Sequence, residues 1–397
     1  MDGLHNPIQY KEILDLAHHN TLFSQLLSLI PGHVFKTLED KHQCGRSSRC
    51  FGFKQQFLVM AFIHLAARAS LRDGLRCLTA AASRLYHFGL RSIARSTVAD
   101  ANRDRPVAFF NDLFEHMYRL CESKAPGHKF RFKAKLFSLD SSTVSLCLSV
   151  FPWAAFRSGK AGIKMHTVLD HDGHIPAFVD LTEAKAHDSQ VSKILRLPKG
   201  SIVVFDRGYN DYRWFAELGA EGIHFVTRLK SNAVHQELQT RPLRRKGSTV
   251  KADRIIEVTR RGQPLKLRCV DYRDPDSGRL FKFITNNFKL SPQTIADIYK
   301  ERWQIELFFK EIKQNLRIKR FVGTSENAVR IQIYTAMTLY LLLAYQKFLS
   351  SIGISVQKIF QLVQLNIFGK STLLELLNPR PRLTKNYHDF PLLDIIA

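Results

Sequence analysis

Apolar residues recur at three- and four-residue spacings through the first 125 or so positions, the period of helices that bury one face. Leu22, Leu26, Leu29 and Ile30 set that spacing first, and Pro31-Gly32 ends it. The run FKQQFLVMAFIHLAARAS repeats it more strongly, and a third helix is expected from about Ser70 to Tyr86. Ser96 is expected to cap a short basic helix, STVADANRDR. As a helix-turn-helix this region would present Arg95, Asn102, Arg103 and Arg105 to DNA; the plainer alternative is a packing domain with a solvated basic face.

From Lys135 the period shortens to two. AKLFSLDSSTVSL, AGIKMHTVLD and HIPAFVDLT read as consecutive strands, with a turn at His171-Asp172-Gly173. Asp188 is expected to cap a helix through SQVSKILRL. SIVVFD reads as a short apolar strand ending on Asp206, followed by a helix near Asp211 to Leu218 and a strand in IHFVTRL. Three hairpin-linked strands, then helix, strand, helix and strand, is the element order of a ribonuclease H-like core, although many α/β folds begin similarly. Residues 230–286 read as an inserted β subdomain, with strands in DRIIEVTR, PLKLRCVDY and RLFKFIT. Ser291-Pro292 opens a long helix, TIADIYKERWQIELFFKEIKQNL. Ile331 to Leu349 approaches the length of a membrane span, but Gln332, Thr335, Thr338, Gln346 and Lys347 interrupt it, so it reads as a buried helix of a soluble fold, with a membrane span as the minor alternative. The tail beyond Asn378 reads as loosely ordered. The expected layout is α/β. A helical N-terminal domain (1–75) and a helix-turn-helix-like DNA-binding region (76–130) precede a ribonuclease H-like domain (131–325) with the β insertion; a C-terminal helical region (326–397) follows.

Charge narrows the partner. Lys and Arg number 59 against 35 acids, and 59 − 35 gives +24, which points to a polyanion. Residues 241–282 alone carry 13 Lys or Arg against 5 acids, a local +8, so the insertion is expected to lie against nucleic acid. The six cysteines show no CxxC spacing and Met1 to Tyr10 hold no signal-peptide run, which suggests a reducing cytoplasm. His42, Cys44 and Cys50 lack a second ligand pair at a usual spacing, and no zinc is assigned to them.

Candidate chemistry begins on the long helix. At about 100° per residue, Tyr299, Arg302, Glu306 and Lys313 fall within roughly 40° of one line. Ile298, Ile305, Phe309, Ile312 and Leu316 form an adjacent apolar stripe able to bury the helix on a sheet. A surface salt-bridge ladder would explain the charges alone, but not the Tyr and Trp beside them. Asp140, inside an apolar strand, and Asp206, at the end of another, each need a reason, because Asp is disfavoured in strands. With Glu306 they would form an oxygen-rich site suited to Mg²⁺, and two ions roughly 4 Å apart can cleave a phosphodiester. Arg302 and Lys313 would then neutralise phosphate, and Tyr299 would pack on sugar or donate a hydrogen bond. Lys310, Arg207, Arg244, Arg245 and Lys246 are further DNA-contact candidates. His187-Asp188 could lie close to the site, although capping is the simpler role for Asp188, and His166 reads as a core or groove residue.

Tyr299-x2-Arg302-x3-Glu306-x6-Lys313 resembles, residue for residue, the signature of DDE transposases of the insertion sequence 4 family. FSLDSSTVSL resembles the first aspartate motif of that family, VVFDRGYNDY its second, and HNTLFSQLLSLIPGHVF looks like the N-terminal domain of one branch. The resemblance covers about residues 135–345, β insertion included. It implies an enzyme dependent on Mg²⁺, with Mn²⁺ able to substitute, that binds the terminal inverted repeats of its own element. Such an enzyme cuts the ends and joins the 3′ hydroxyls to target DNA, as a homodimer on paired ends, with Asp140, Asp206 and Glu306 as metal ligands. Relatives pass through a DNA hairpin and flip a base with an aromatic residue of the insertion. Here Trp153, Trp214 and Trp303 all lie outside it, which leaves Tyr272, Phe281 and Phe283 as aromatics there. A structure-specific nuclease without strand joining and an inactive DNA-binding relic are the alternatives.

Overall fold

Ten strands join into a single mixed sheet in the computed structural model, which describes residues 21–42, 51–84, 93–157, 160–184, 191, 194–243, 249–260, 263–316, 321–350 and 353–377. The strands are β1 (Leu136–Leu146), β2 (Ala155–Arg157), β3 (Lys160–Asp170), β4 (Ile175–Glu183), β5 (Ile202–Phe205), β6 (His224–Arg228), β7 (Gln236–Thr240), β8 (Val250–Arg260), β9 (Gln263–Arg273) and β10 (Leu280–Thr285). Their order is β2-β3-β1-β5-β6-β10-β9-β8-β7, with β4 paired to β3. β1 runs antiparallel to β3 and parallel to β5, and β5 runs parallel to β6. All four residues of β5, Ile-Val-Val-Phe, are buried, as expected of a parallel strand covered on both faces.

The stretch expected as an inserted subdomain does not stand apart. β10 pairs antiparallel with β6, and β9, β8 and β7 extend the same sheet outward. β7 was not expected at all: all five of its residues are exposed, so no apolar alternation marks it. The buried pair of Arg268 and Asp253 joins β9 to β8, with Arg268 Nε and Nη2 donating to the two Asp253 carboxylate oxygens at 2.9 and 2.8 Å. Nη1 of Arg268 donates to the carbonyls of Asn287 and Leu290, just ahead of the next helix. Arg268→Ala strands a buried carboxylate and should cost roughly 3–5 kcal/mol, read as a lowered urea midpoint. An unchanged midpoint would show the pair to be dispensable.

The helices are α1 (Leu22–Ser28), α2 (Gly32–Lys41), α3 (Phe53–Leu65), α4 (Leu71–Ala80), α5 (Arg95–Asp104), α6 (Val107–Glu122), α7 (Tyr212–Ala220), α8 (Pro292–Glu301), α9 (Trp303–Asn315), α10 (Glu326–Ser350), α11 (Val356–Leu365) and α12 (Leu373–Leu377). One apolar core takes side chains from α1 through α6 and from α9 through α12. α10 runs through it with Ala328 to Ala344 almost entirely buried, so its apolar length is spent on protein contacts. His64 of α3 ties the N-terminal helices to the end of α9 and to α10, its ring nitrogens 2.9 and 3.1 Å from the carbonyls of Leu316 and Gln332.

Two helical expectations change. α5 starts at Arg95 with Ala94 as its cap, so Ser96 lies in the first turn and does not cap. Asn102 and Arg105 also turn inward instead of toward a DNA groove. Asn102 is 1% exposed and accepts from Gln56 Nε2, and Arg105 donates to Gln56 Oε1 and lies over the rings of Phe51 and Phe53. Arg103 stays exposed, paired with Asp100 and Asp104.

Candidate active site

The parallel register of β1 and β5 brings the two aspartates together. Leu136, Phe137, Ser138 and Leu139 pair with Ile202, Val203, Val204 and Phe205, so the next residue along each strand is Asp140 and Asp206. Neighbouring strands lie about 4.8 Å apart, which fixes the spacing of the two backbones there. The long helix expected to carry the remaining groups is broken at Arg302, which ends α8 and begins α9. The N–H of Arg302 bonds the carbonyl of Tyr299 and the N–H of Ile305 bonds that of Arg302, the tight three-residue pattern of a 3₁₀ turn. The apolar stripe survives the break: Ile298, Ile305, Phe309, Ile312 and Leu316 are all buried. α9 packs on β1, and Glu306 in its first turn faces the aspartates.

Arg302 bridges two of the three carboxylates. Its Nη1 donates to Asp140 Oδ2 at 2.9 Å and its Nη2 to Glu306 Oε1 at 2.6 Å. Asp206 is held from the other side: Arg228 Nη2 and the Tyr299 hydroxyl donate to its Oδ1 at 2.8 and 3.2 Å. The Tyr299 ring stacks on Phe283 at 4.6 Å, with the guanidinium carbons of Arg228 and Arg302 at 5.6 and 5.8 Å from its centroid. Lys313 reaches β1, donating to the Ser142 hydroxyl and to the carbonyl of Thr143 at 3.2 Å. The Nε atoms of Arg228 and Arg302 are buried without a hydrogen-bond partner among the described residues, so each guanidinium keeps a donor unspent.

The two aspartates differ in how tightly they hold a proton. Burial pushes the Asp140 carboxyl up to about 6, with the charges of Glu306 and Asp206 adding to it against the Ser141 N–H and Arg302. Burial also pushes Asp206 upward, but the Arg228 hydrogen bond, the Arg207 N–H and the charges of Arg228 and Arg302 outweigh it and hold Asp206 below the usual range. Burial raises Tyr299 to about 12, which keeps its hydroxyl a donor. Negative charge is therefore under-compensated at Asp140 and well compensated at Asp206. The all-oxygen donor set of three carboxylates suits Mg²⁺, which takes carboxylates together with water and phosphate oxygens. Arg302 stands between Asp140 and Glu306 and spaces their oxygens apart.

Of the residues singled out from sequence, Asp140, Asp206, Glu306, Tyr299 and Arg302 meet at one place, with Lys313 farther along β1. Arg207 and Lys310 are exposed, Arg207 immediately after Asp206 and Lys310 one turn beyond Glu306. Arg244, Arg245 and Lys246 lie outside the described residues, as do Cys44, Cys50, His187, Asp188 and the tail beyond Asn378. His166 is a core residue, buried with Nε2 at 3.0 Å from the Thr182 hydroxyl. Tyr272 and Phe283 are each 2% exposed and so are not free to stack on a base, and Phe281 packs on Phe283. Arg228 escaped the sequence reading. Its only signal is a basic residue closing IHFVTRL, the strand that follows the one ending on Asp206.

The Transposase DDE domain family matches residues 131–342, a span that takes in Asp140, Asp206, Arg228, Tyr299, Arg302, Glu306 and Lys313, and a domain of unknown function (DUF4372) matches residues 18–91. The putative transposase y4zB of Sinorhizobium fredii is 32% identical over 290 residues, 72% of this chain and 80% of that protein. The probable transposase for insertion sequence element IS5377 of Geobacillus stearothermophilus is 30% identical over 332 residues, 82% of this chain and 85% of the other. A third relative, the putative transposase for insertion sequence element IS4SA of Synechocystis, is 28% identical over 258 residues, 62% of this chain and 70% of its own length. With more than half of its length inside that domain and insertion sequence 4 elements among its relatives, the chain belongs to the DDE transposase family.

Proposed function

We propose that the chain binds the terminal inverted repeats of its insertion sequence, cleaves the ends and transfers the 3′ ends to target DNA by Mg²⁺-dependent phosphodiester chemistry. The observation that carries this reading is the meeting of Asp140 and Asp206 on parallel strands with Glu306 opposite them, bridged by Arg302. The order β4-β3-β1-β5-β6, three antiparallel strands and then two parallel, supports reading that part of the sheet as a ribonuclease H-like core.

Asp140, Asp206 and Glu306 would hold the metal. When bound there, Mg²⁺, or Mn²⁺ in its place, activates the attacking oxygen and stabilises the leaving one. The remaining side chains position DNA. Arg228 keeps Asp206 ionised and, with Tyr299, orients it, and the Arg302 fork supplies positive charge beside the carboxylates for a phosphate. Lys313 supplies a further cation along β1, with Arg207, Lys310 and the basic run Arg244, Arg245 and Lys246 as outer phosphate contacts. The working form is a homodimer on two paired ends of double-stranded DNA in the cytoplasm, since two ends must be processed together and each chain carries one set of carboxylates.

Labelled end DNA with Mg²⁺ tests the reading: cleavage followed by joining of the 3′ ends to a target plasmid is expected, and cleavage without joining would make the chain a nuclease. Neutralising Arg244, Arg245 and Lys246 together should flatten the salt dependence of DNA binding by roughly 2–3 in log–log slope, about 0.9 per lost phosphate contact. A slope equal to that of the wild type would place those three side chains off the DNA. Lys313→Ala should slow single-turnover cleavage by about tenfold with little change in DNA affinity, the size of one charge-assisted phosphate contact. Unaltered cleavage would leave Lys313 as a strut between α9 and β1.

A further inference from the structure

The turn between β3 and β4 carries His171 and His174, and Glu301, the last residue of α8, faces it. One ring nitrogen of each histidine and a carboxylate oxygen of Glu301 all lie within 4.8 Å of one another. None of the three belongs to the carboxylate trio of the active site. They share the wall of a cavity of about 590 Å³ with His128, Lys129 and Phe348.

We propose that this turn is a second cation site, selective for a borderline-soft divalent ion of the Zn²⁺ class and structural in role. The donor set decides the class of ion. Two imidazoles and one carboxylate, with a position left for water, suit Zn²⁺ and poorly suit Mg²⁺, which prefers oxygen throughout. Orientation supports it. His171 is 2% exposed and its Nε2 lies 2.7 Å from the Ser138 hydroxyl, a bond that fixes the ring and leaves Nδ1 for an ion. The backbone holds the second ring in place at a conformational cost: His174 has φ +55°, in the left-handed region that β-carbon sterics disfavour, directly after Gly173 at φ +72°. A Cβ on Gly173 would meet the Phe348 ring at 2.5 Å, so the turn is clamped from outside as well. Together these put the two rings 5.7 Å apart, centroid to centroid.

Charge in the cavity sharpens the selectivity. Lys129 forms an ion pair with Glu301, and Lys124 and Lys347 also line the wall. An ion held by charge alone would be repelled, whereas one that bonds imidazole nitrogen has a compensating gain. The Lys129 side chain is 68% exposed, so water can take over its charge when an ion takes Glu301. Glu301 immediately precedes Arg302, so an ion here would pin the end of α8 from which the Arg302 fork departs.

Co²⁺ titration of the Asp140→Asn/Asp206→Asn/Glu306→Gln chain, which lacks the oxygen site, tests the proposal. One equivalent of Co²⁺ should develop visible absorption typical of nitrogen-containing four- or five-coordination. Zn²⁺ should displace it and raise Tm, and Mg²⁺ should do neither. His174→Gln and Glu301→Gln should each weaken Co²⁺ binding by about tenfold or more. Lys129→Ala should tighten it by removing the competitor for Glu301, a gain that a damaged fold cannot mimic. Absence of the absorption in the parent chain, or an unchanged spectrum and affinity in His174→Gln, would overturn the site.

Discussion

Asp140→Asn, Asp206→Asn and Glu306→Gln are each expected to lower cleavage of labelled end DNA by about 10³-fold or more, while affinity for that DNA changes only a few fold. Three decades correspond to about 4 kcal/mol of the activation barrier, the scale of a lost ligand to a catalytic cation. Affinity should survive because it comes from the many basic side chains of a chain carrying +24. Asp140→Asn carries its own control against misfolding. An acid whose folded value is pushed up to about 6 destabilises the folded chain when ionised, a cost of up to about 3 kcal/mol that is fully present above pH 6. That cost fades as pH falls toward the ordinary carboxylate range, where the group is protonated folded or unfolded. The Asn variant should therefore melt higher than wild type at pH 8, and the two should converge near pH 4. An inactive variant that melts higher has lost chemistry and kept its fold. Near wild-type nicking by any of the three variants would remove that residue from the site.

That a carboxylate site could be assembled from sequence at all depends on how local its signals are. The four-residue face of the helix needs only the helical period, and the apolar stripe beside it is read the same way; both survive in α8 and α9. The aspartates stand out because a charge inside an apolar strand, as at Asp140, or closing one, as at Asp206, is costly without a purpose. What escaped is non-local or polar. The pairing of β10 with β6, which turns an expected subdomain into a continuation of the sheet, is a contact between segments more than fifty residues apart, and no period within either segment records it. β7 forms on pairing alone, with no buried residue to mark it. Arg228 gains its partner only because β6 lies beside β5, and the inward turn of Asn102 and Arg105 depends on Gln56 and the Phe51 and Phe53 rings of another helix. The break at Arg302 was hidden too, since no Pro or Gly marks it and the chain there stays in right-handed helical geometry.

Arg302→Ala is expected to slow cleavage by about 10²-fold and to move the acid limb of its pH profile to higher pH. In the wild-type chain the guanidinium cross-links Asp140 to Glu306, and its charge is one of the influences that lower the Asp140 carboxyl against burial. Without it, two carboxylates face each other uncompensated, and Asp140 stays protonated to a pH above its present value of about 6. A metal-ligating carboxylate works only when deprotonated, so activity should appear at a higher pH than in wild type. Under the proposed reaction, the positive charge lost beside the phosphate would add a loss that no pH recovers. Arg302→Lys separates the two contributions. It keeps a cation near Asp140, so the limb should lie close to that of wild type, but an ammonium cannot reproduce the planar fork that touches both carboxylates, so only part of the rate should return. Single-turnover cleavage measured from pH 5.5 to 9 in the three proteins decides the matter. A rate and a limb in Arg302→Ala that match wild type would reduce the Tyr299, Arg302, Glu306 and Lys313 face to a surface ladder of ion pairs.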